Sequence, residues 1–185
     1  MSAEPFSPDD LPQPPFETAR LRLRPYKLSD AAEVYAALDL HPDVWRFDPG
    51  HPTTLVQRRA IIRHYAALHD HFGFGPCGAW LKDGTFVGQG GLNPYIYDER
   101  DGTRTAVFEV MYKLARPFWG QGYATEIARF WVDFAFRQVR LPVLKICPVR
   151  ENVASVAVLQ RLGATFEDDW LDETTVIATI MPPPN

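Results

Sequence analysis

Cysteine is scarce in this 185-residue chain: Cys77 and Cys147 are the only two. They are too few for a metal-ligand cluster or a disulfide framework, and neither has the neighbours that mark a nucleophile, so both read as reduced, mostly buried thiols. Long apolar runs are missing as well. No stretch of about 18 apolar residues exists to cross a bilayer, and the acidic, Pro-rich start lacks the basic and apolar regions of a signal peptide. A soluble, cytoplasmic protein with no membrane partner is the expectation. There is no basic run: formal net charge is −4 with both signs interspersed, which argues against nucleic acid as a main partner. His41, His51, His64, His69 and His71 fall in the front part of the chain, without the Ser, Cys or Asp spacing of a triad or metal site, so no metal is expected.

What the chain does contain suits one domain with a real core, since 46% of its residues are apolar. Residues 1–16 carry five prolines and read as a loose tail, leaving 17–185 as a single domain. Leu21, Leu23 and Pro25 alternate with Arg20, Arg22 and Arg24, the period-2 pattern of a half-exposed strand. Ser29-Asp30 caps a helix to about Leu40, and Thr53 or Thr54 caps another to about His71. Strands are expected over roughly 77–82, 85–93 and 104–114, with Asp83-Gly84 as a hairpin turn. A third helix runs from about Gly120 to Val139, with Ile127, Phe130, Trp131 and Phe134 as its core stripe. A strand over 143–147, a helix over 152–162 and a strand pair near 164–169 and 174–180 complete the order. Asp98-Glu-Arg-Asp101 reads as a solvated turn.

The most informative stretch is Glu109 to Glu126, where a strand-like run empties into a Gly-x-Gly turn that opens a helix. Gly120 and Gly122 remove Cβ atoms where the backbone bends, and the helix start offers unpaired N–H groups and a positive dipole end, so a phosphate or pyrophosphate is the natural guest. A dinucleotide fingerprint needs a third small residue and a distant acid, and a P-loop ends in Gly-Lys-Ser/Thr. Thr125 and Tyr123-Ala124 fit neither. Trp119-Gly120-Gln121-Gly122-Tyr123-Ala124 resembles instead the pyrophosphate loop of the GNAT acetyltransferases, Gln/Arg-x-x-Gly-x-Gly/Ala. Trp119 departs from its first position in the manner of the ribosomal-protein alanine/serine N-acetyltransferase (RimJ/RimL-like) branch.

Three further stretches resemble that branch in the same order: Glu17 to Pro25, Phe86 to Leu92, and Asn152 to Gly163. The resemblance implies an α/β (α+β) GNAT fold. That fold is a mixed, mostly antiparallel sheet of about seven strands, flanked by about four helices, with strands four and five splayed between 109–114 and 143–147. It also implies acetyl-CoA as cofactor, with Tyr112 and Leu114 pairing to it through their backbone. The loop from Trp119 through Gly120, Gln121, Gly122, Tyr123, Ala124 and Thr125 would hold the pyrophosphate, and Asn152 and Ser155 the pantetheine arm.

An acetyl thioester needs a neutral nucleophile, a donor for the carbonyl oxygen and a proton source for the thiolate. The resemblance puts the carbonyl donor on the N–H near Tyr112. Glu109 is the candidate base, against the alternative of a strand carboxylate paired with Lys113 or an arginine, since period 2 puts Glu109, Met111 and Lys113 on one face. Ser155 is either the proton donor or a bystander, and Asn152 is an N-cap compatible with ligand binding. Arg116, Arg150 and Arg161 are candidates for the adenosine 3′-phosphate. Trp45, Phe47 and Tyr95 are candidates for the acceptor site, with Arg46 and Asp48 in the same loop. The terminal hairpin over 167–173 is short for that branch and implies a more open acceptor pocket. The expected activity is direct transfer to a primary amine, either a protein N-terminus or a small-molecule amine, by a monomer or homodimer. A non-catalytic acyl-CoA-binding module is the alternative.

Overall fold

Residues 7–48, 50 and 52–184 are described in the computed structural model, so the first six residues of the expected tail and His51 lie outside the described residues. Alternation at the front of the chain becomes a strand: in β2 (Leu21–Arg24) both leucines are fully buried while Arg22 points outward. β2 is flanked by β1 (Phe16–Glu17) and β3 (Cys77–Leu81), and β4 (Phe86–Asp98) and β5 (Arg104–Leu114) follow. These five form one antiparallel sheet in chain order. The Asp83-Gly84 turn joins β3 to β4, with Gly84 at φ +94° and the Asp83 carboxylate accepting from Thr85 N–H at 2.9 Å.

β4 runs beyond the expected residue 93 to Asp98 and pairs residue for residue with β5, from Gly88 opposite Leu114 to Asp98 opposite Arg104. The extension shifts the turn to Glu99–Thr103. Glu99 is not merely solvated there, because its carboxylate takes the Lys145 ammonium at 2.9 Å.

Between β2 and β3 a 3-10 turn enters α1 (Ala31–Val34), which continues as a π turn over Tyr35–Asp39. α2 (Leu55–Phe72) begins at Thr54, whose hydroxyl accepts from Gln57 N–H while the Gln57 side chain returns to Thr54 N–H. It ends at Gly73, φ +75°. Asp39 and Arg58 lock the two helices through a buried, two-point ion pair at 2.7 and 2.5 Å. Removing either partner would strand a buried charge, at a cost of about 3–5 kcal/mol.

α3 (Tyr123–Phe134) starts three residues later than Gly120, because both loop glycines adopt left-handed φ and end the extended chain before the first helical turn. α4 (Val153–Arg161) lies after β6 (Leu144–Ile146). β7 (Thr165–Asp168) and β8 (Val176–Ile180) then pair with each other, and β8 pairs with β6 in a separate three-stranded sheet of order β6-β8-β7. The expected seven-stranded sheet is thus divided among the described residues, five strands and three, with no hydrogen-bonded ladder between β5 and β6 there. That is the splay the resemblance implied.

The main core joins Leu21, Leu23 and Val110 to Ile127 and Trp131 of α3 and to Leu144 and Leu159. Each such side chain contributes about 1.5–3 kcal/mol by leaving water. Leu11, within the stretch read as a loose tail, is 5% exposed and belongs to this core. Phe16 packs against Phe130, Trp131 and Phe134. A second cluster, with Tyr26, Val34, Leu38, Ile62 and Trp80, fills the space under α1 and α2.

Candidate functional site

β5 separates two chemical environments by simple alternation. Its even positions, Phe108, Val110, Tyr112 and Leu114, pack into the main core beneath α3 and α4. Its odd positions turn to the other face: Val107 meets Tyr97 and Ile177, Glu109 meets Asn93, and Lys113 meets Asp48.

On the even face the Tyr112 phenol reaches α4, 2.9 Å from Ser155 Oγ and 3.1 Å from the Ser155 carbonyl. Burial raises the phenol to about 12, against a small lowering by Ser155, so it stays protonated at neutral pH. Asn152 caps α4 by accepting from Ser155 N–H at 3.2 Å, which points the first turn of that helix at the end of β5. Tyr112 was singled out for its main chain alone. Its phenol is a partner of Ser155 that sequence reasoning missed, since the contact spans 43 positions.

On the odd face Glu109 is half-buried and forms no ion pair among the described residues; Asn93 Nδ2 donates to it at 3.0 Å. Burial raises its pKa, Asn93 offsets part of this, and nearby Asp48 raises it again. The pairing with Lys113 is not formed. Lys113 instead holds Asp48 at 2.7 Å and stands 3.0 Å from the Trp45 ring centroid. Burial lowers its pKa to about 8 despite the support of Asp48.

Trp45 is buried, its indole N–H donating to the Leu38 carbonyl at 3.2 Å. Tyr95 bonds the Lys145 carbonyl of β6 at 2.9 Å and so ties the two sheets together across β5. Both acceptor-side candidates therefore have structural partners. Burial pushes the Cys77 and Cys147 thiols up. Burial likewise lowers His69, which lies 3.3 Å from the Pro76 carbonyl. Among the described residues no three His, Cys, Asp or Glu side chains are grouped to hold a metal.

The loop after β5 has the features that an anion site needs. Gly120 and Gly122 have φ of +73° and +81°, a region that L side chains enter only with strain. No protein acceptor among the described residues takes the backbone N–H groups of residues 120 to 125; the first helical bond is Glu126 N–H to the Gly122 carbonyl at 3.1 Å. Unpaired N–H groups at a helix start match the charge of a pyrophosphate. The Trp119 indole donates to the Leu114 carbonyl at 2.9 Å and fastens the loop to the end of β5.

One groove of about 1410 Å³ collects these parts, larger than the roughly 300–1,000 Å³ of a drug-sized pocket. Of the expected residues it is lined by Tyr112, Leu114, Trp119, Gly120, Gly122, Ala124, Thr125, Asn152 and Ser155, and by Arg46, Phe47 and Asp48 of the loop before α2; Lys113 lines it too. Gln121 turns its amide to the Pro117 carbonyl at 2.7 Å and Tyr123 is buried; neither lines the groove. Glu109, Trp45 and Tyr95 do not line the groove. Of the three arginines considered, Arg161 does, beside Arg129, whereas Arg116 pairs with Asp43 and Arg150 with Asp168. Arg129 was missed, although it lies one turn beyond Thr125 on the same helix face.

Comparison with known proteins agrees with this geometry. Residues 20–165 match the model of the "Acetyltransferase (GNAT) domain". The chain is 32% identical over 165 residues, 87% of its length and 69% of the relative's, to the FsC-acetyl coenzyme A-N(2)-transacetylase of Aspergillus fumigatus. Among solved structures, an acetyltransferase from Agrobacterium tumefaciens str. C58 superposes with a TM-score of 0.74 at 27% identity, covering 90% of this chain and 94% of that one. RimL, the ribosomal L7/L12 alpha-N-protein acetyltransferase solved with coenzyme A, shares the fold with a TM-score of 0.69 at 19% identity, covering 89% and 96%. The loop, the parted sheets and the family match lead to one conclusion: the chain belongs to the GNAT acetyltransferase family and is an N-acetyltransferase that takes its acetyl group from acetyl-CoA.

Proposed function

We propose that the protein transfers the acetyl group directly to a primary amine of the α-amino kind, with donor and acceptor bound together. The observation that carries this reading is Glu109, a half-buried carboxylate that burial holds above its ordinary pKa and that forms no ion pair among the described residues. Such a group accepts a proton from an arriving ammonium more readily than an exposed carboxylate, because doing so removes a charge that burial disfavours. An α-amine of pKa about 8 is the better match than a lysine of about 10.4, because the base has less work to do near neutral pH.

Backbone N–H groups of the loop bind the pyrophosphate, Asn152 and Ser155 border the pantetheine arm, and the carbonyl donor is the β5 main chain near Tyr112. Tyr112 and Ser155 form a hydroxyl pair that gives a proton to the departing thiolate. An ammonium loses two protons in becoming an amide: the first goes to Glu109, and the second, shed by the tetrahedral intermediate, replaces the proton that the Tyr112–Ser155 pair gives the departing thiolate, so only the proton on Glu109 remains to pass to solvent. No activated Cys or Ser supports an acetyl-enzyme route.

For the acceptor, the relative at 32% identity is named for transfer to an N(2) nitrogen, and the ribosomal-protein enzyme at 19% identity acts on a protein α-N. Both fit an α-type amine, on a small molecule or at a protein N-terminus. A screen of amines and peptides with different first residues, followed by release of free thiol from acetyl-CoA, tests the proposal. Turnover with α-amines above turnover with lysine side chains is expected. Binding of acetyl-CoA with no thiol release for any amine would favour the non-catalytic acyl-CoA-binding module instead.

A further inference from the structure

The stretch at Glu17 to Pro25 and the last residue of the loop motif, Glu126, meet in space. Thr18 Oγ1 donates to Glu126 Oε1 at 2.6 Å, Arg20 N–H donates to the same oxygen at 2.8 Å, and Arg20 Nε donates to Oε2 at 2.6 Å. Burial raises the Glu126 pKa, but these donors outweigh it and hold the carboxyl below its ordinary value. The guanidinium then reaches the loop itself. Arg20 Nη1 donates to the Gln121 carbonyl at 3.0 Å, and the group lies 4.0 Å from the centroid of the Tyr123 ring. Nη2 makes no hydrogen bond among the described residues and stands 3.5 Å from where a Cβ on Gly122 would be.

We propose that Arg20 is a positioning residue of the cofactor loop and supplies a cation beside its pyrophosphate subsite. By holding the Gln121 carbonyl, it keeps that oxygen turned to the protein and away from an incoming phosphate. By pairing with Glu126, which lines the groove, it offsets a carboxylate that would repel the same phosphate. The Nη2 left over is a charged donor beside Gly122, where the unpaired backbone N–H groups gather. A lysine cannot do all three, because it lacks the planar fork that serves Glu126, Gln121 and a ligand at once.

The inference rests on the use of acetyl-CoA stated above, and the test keeps the two apart. Coenzyme A affinity is measured by calorimetry for the full chain and for Arg20→Gln and Arg20→Lys, at about 50 mM and about 500 mM salt, conditions that screen exposed charges differently. Arg20→Gln is expected to lose about tenfold in affinity at low salt, with the gap to the parent chain narrowing at high salt, and Arg20→Lys to fall between them. Melting followed by circular dichroism checks that the variants fold; if Arg20→Gln does not, Arg20→Lys against the parent carries the comparison. Affinity unchanged by either variant, or a loss equal at both salts, would overturn the proposal, since a merely structural tie between β2 and α3 carries no such salt signature. Failure of the parent chain to bind coenzyme A would overturn the cofactor assignment itself.

Discussion

Replacing Glu109 by Gln should lower activity and raise stability, and the two effects should have opposite pH dependence. The rate effect is bounded by the acceptor. An amine of pKa about 8 is about one-tenth neutral at pH 7, so loss of the base should cost about 10–10²-fold in kcat rather than more. The loss should shrink as pH rises past 8 and the amine supplies its own neutral form. Asn93 Nδ2 can still donate to the new amide oxygen, so the strand pairing around it is preserved. Stability follows from burial. Because the folded-state pKa is raised above its ordinary 4.5, the folded chain holds this proton more tightly than the unfolded chain. Ionisation above that window therefore costs folding free energy, and the cost is absent below about pH 4. Removing the charge should give about 1 kcal/mol at pH 7, or roughly 2–4 °C in Tm for a domain of this size. Thermal melts at pH 7 and pH 4, with kcat measured across pH on an acceptor from the amine screen, check both halves. A rate loss that is the same at every pH, or a Tm gain that persists at pH 4, would refute the reasoning.

Gly122→Val forces a branched residue to φ +81°, and since a Cβ there meets only Arg20 at 3.5 Å, backbone strain rather than crowding should cost acetyl-CoA at least about tenfold in affinity by calorimetry. Tyr112→Phe and Ser155→Ala should each reduce kcat by up to about 10²-fold with acetyl-CoA binding nearly intact; the double variant should lose little more than either single one, because the hydroxyls act as a pair. Lys113 should titrate near 8 by NMR of its labelled side chain, and Asp48→Asn should move it lower still by removing its supporting carboxylate. Since its folded value lies below the ordinary 10.5, the folded chain sheds this proton first, so stability from Lys113 should rise between about pH 8 and pH 10.5, and a Lys113→Met variant should lack that rise in denaturant melts.

The loop was legible from sequence because glycines at positive φ leave a residue-type signature, and the helix after it follows from a clean apolar stripe. The divided sheet was legible only through resemblance. Local pattern says nothing of which strands fail to pair, and β6 is just three residues long. Contacts between distant positions left no local trace: Tyr112 with Ser155, Arg20 with Glu126, and Lys113 with Asp48. The aromatic loop before α2 misled in part, because Trp45 fills space under α1 and α2 rather than lining the groove, while Phe47, two residues on, does line it. Proline content at the start suggested a tail, yet among its described residues Leu11 and Phe16 pack into the core.

The alternation along β5 has a consequence for how this enzyme could diverge. Even positions pack beneath α3 and α4 while Val107, Glu109 and Met111 stay outside the groove, so under the proposed function a single strand carries two specifications that vary separately. Substitutions at 107 and 111, which spare the proposed base Glu109 and the groove-lining Lys113, should re-target the enzyme to new amines while leaving its donor unchanged. A library confined to those two positions is expected to shift acceptor preference without loss of coenzyme A affinity, whereas changes at 108, 110, 112 and 114 should disturb donor and fold together.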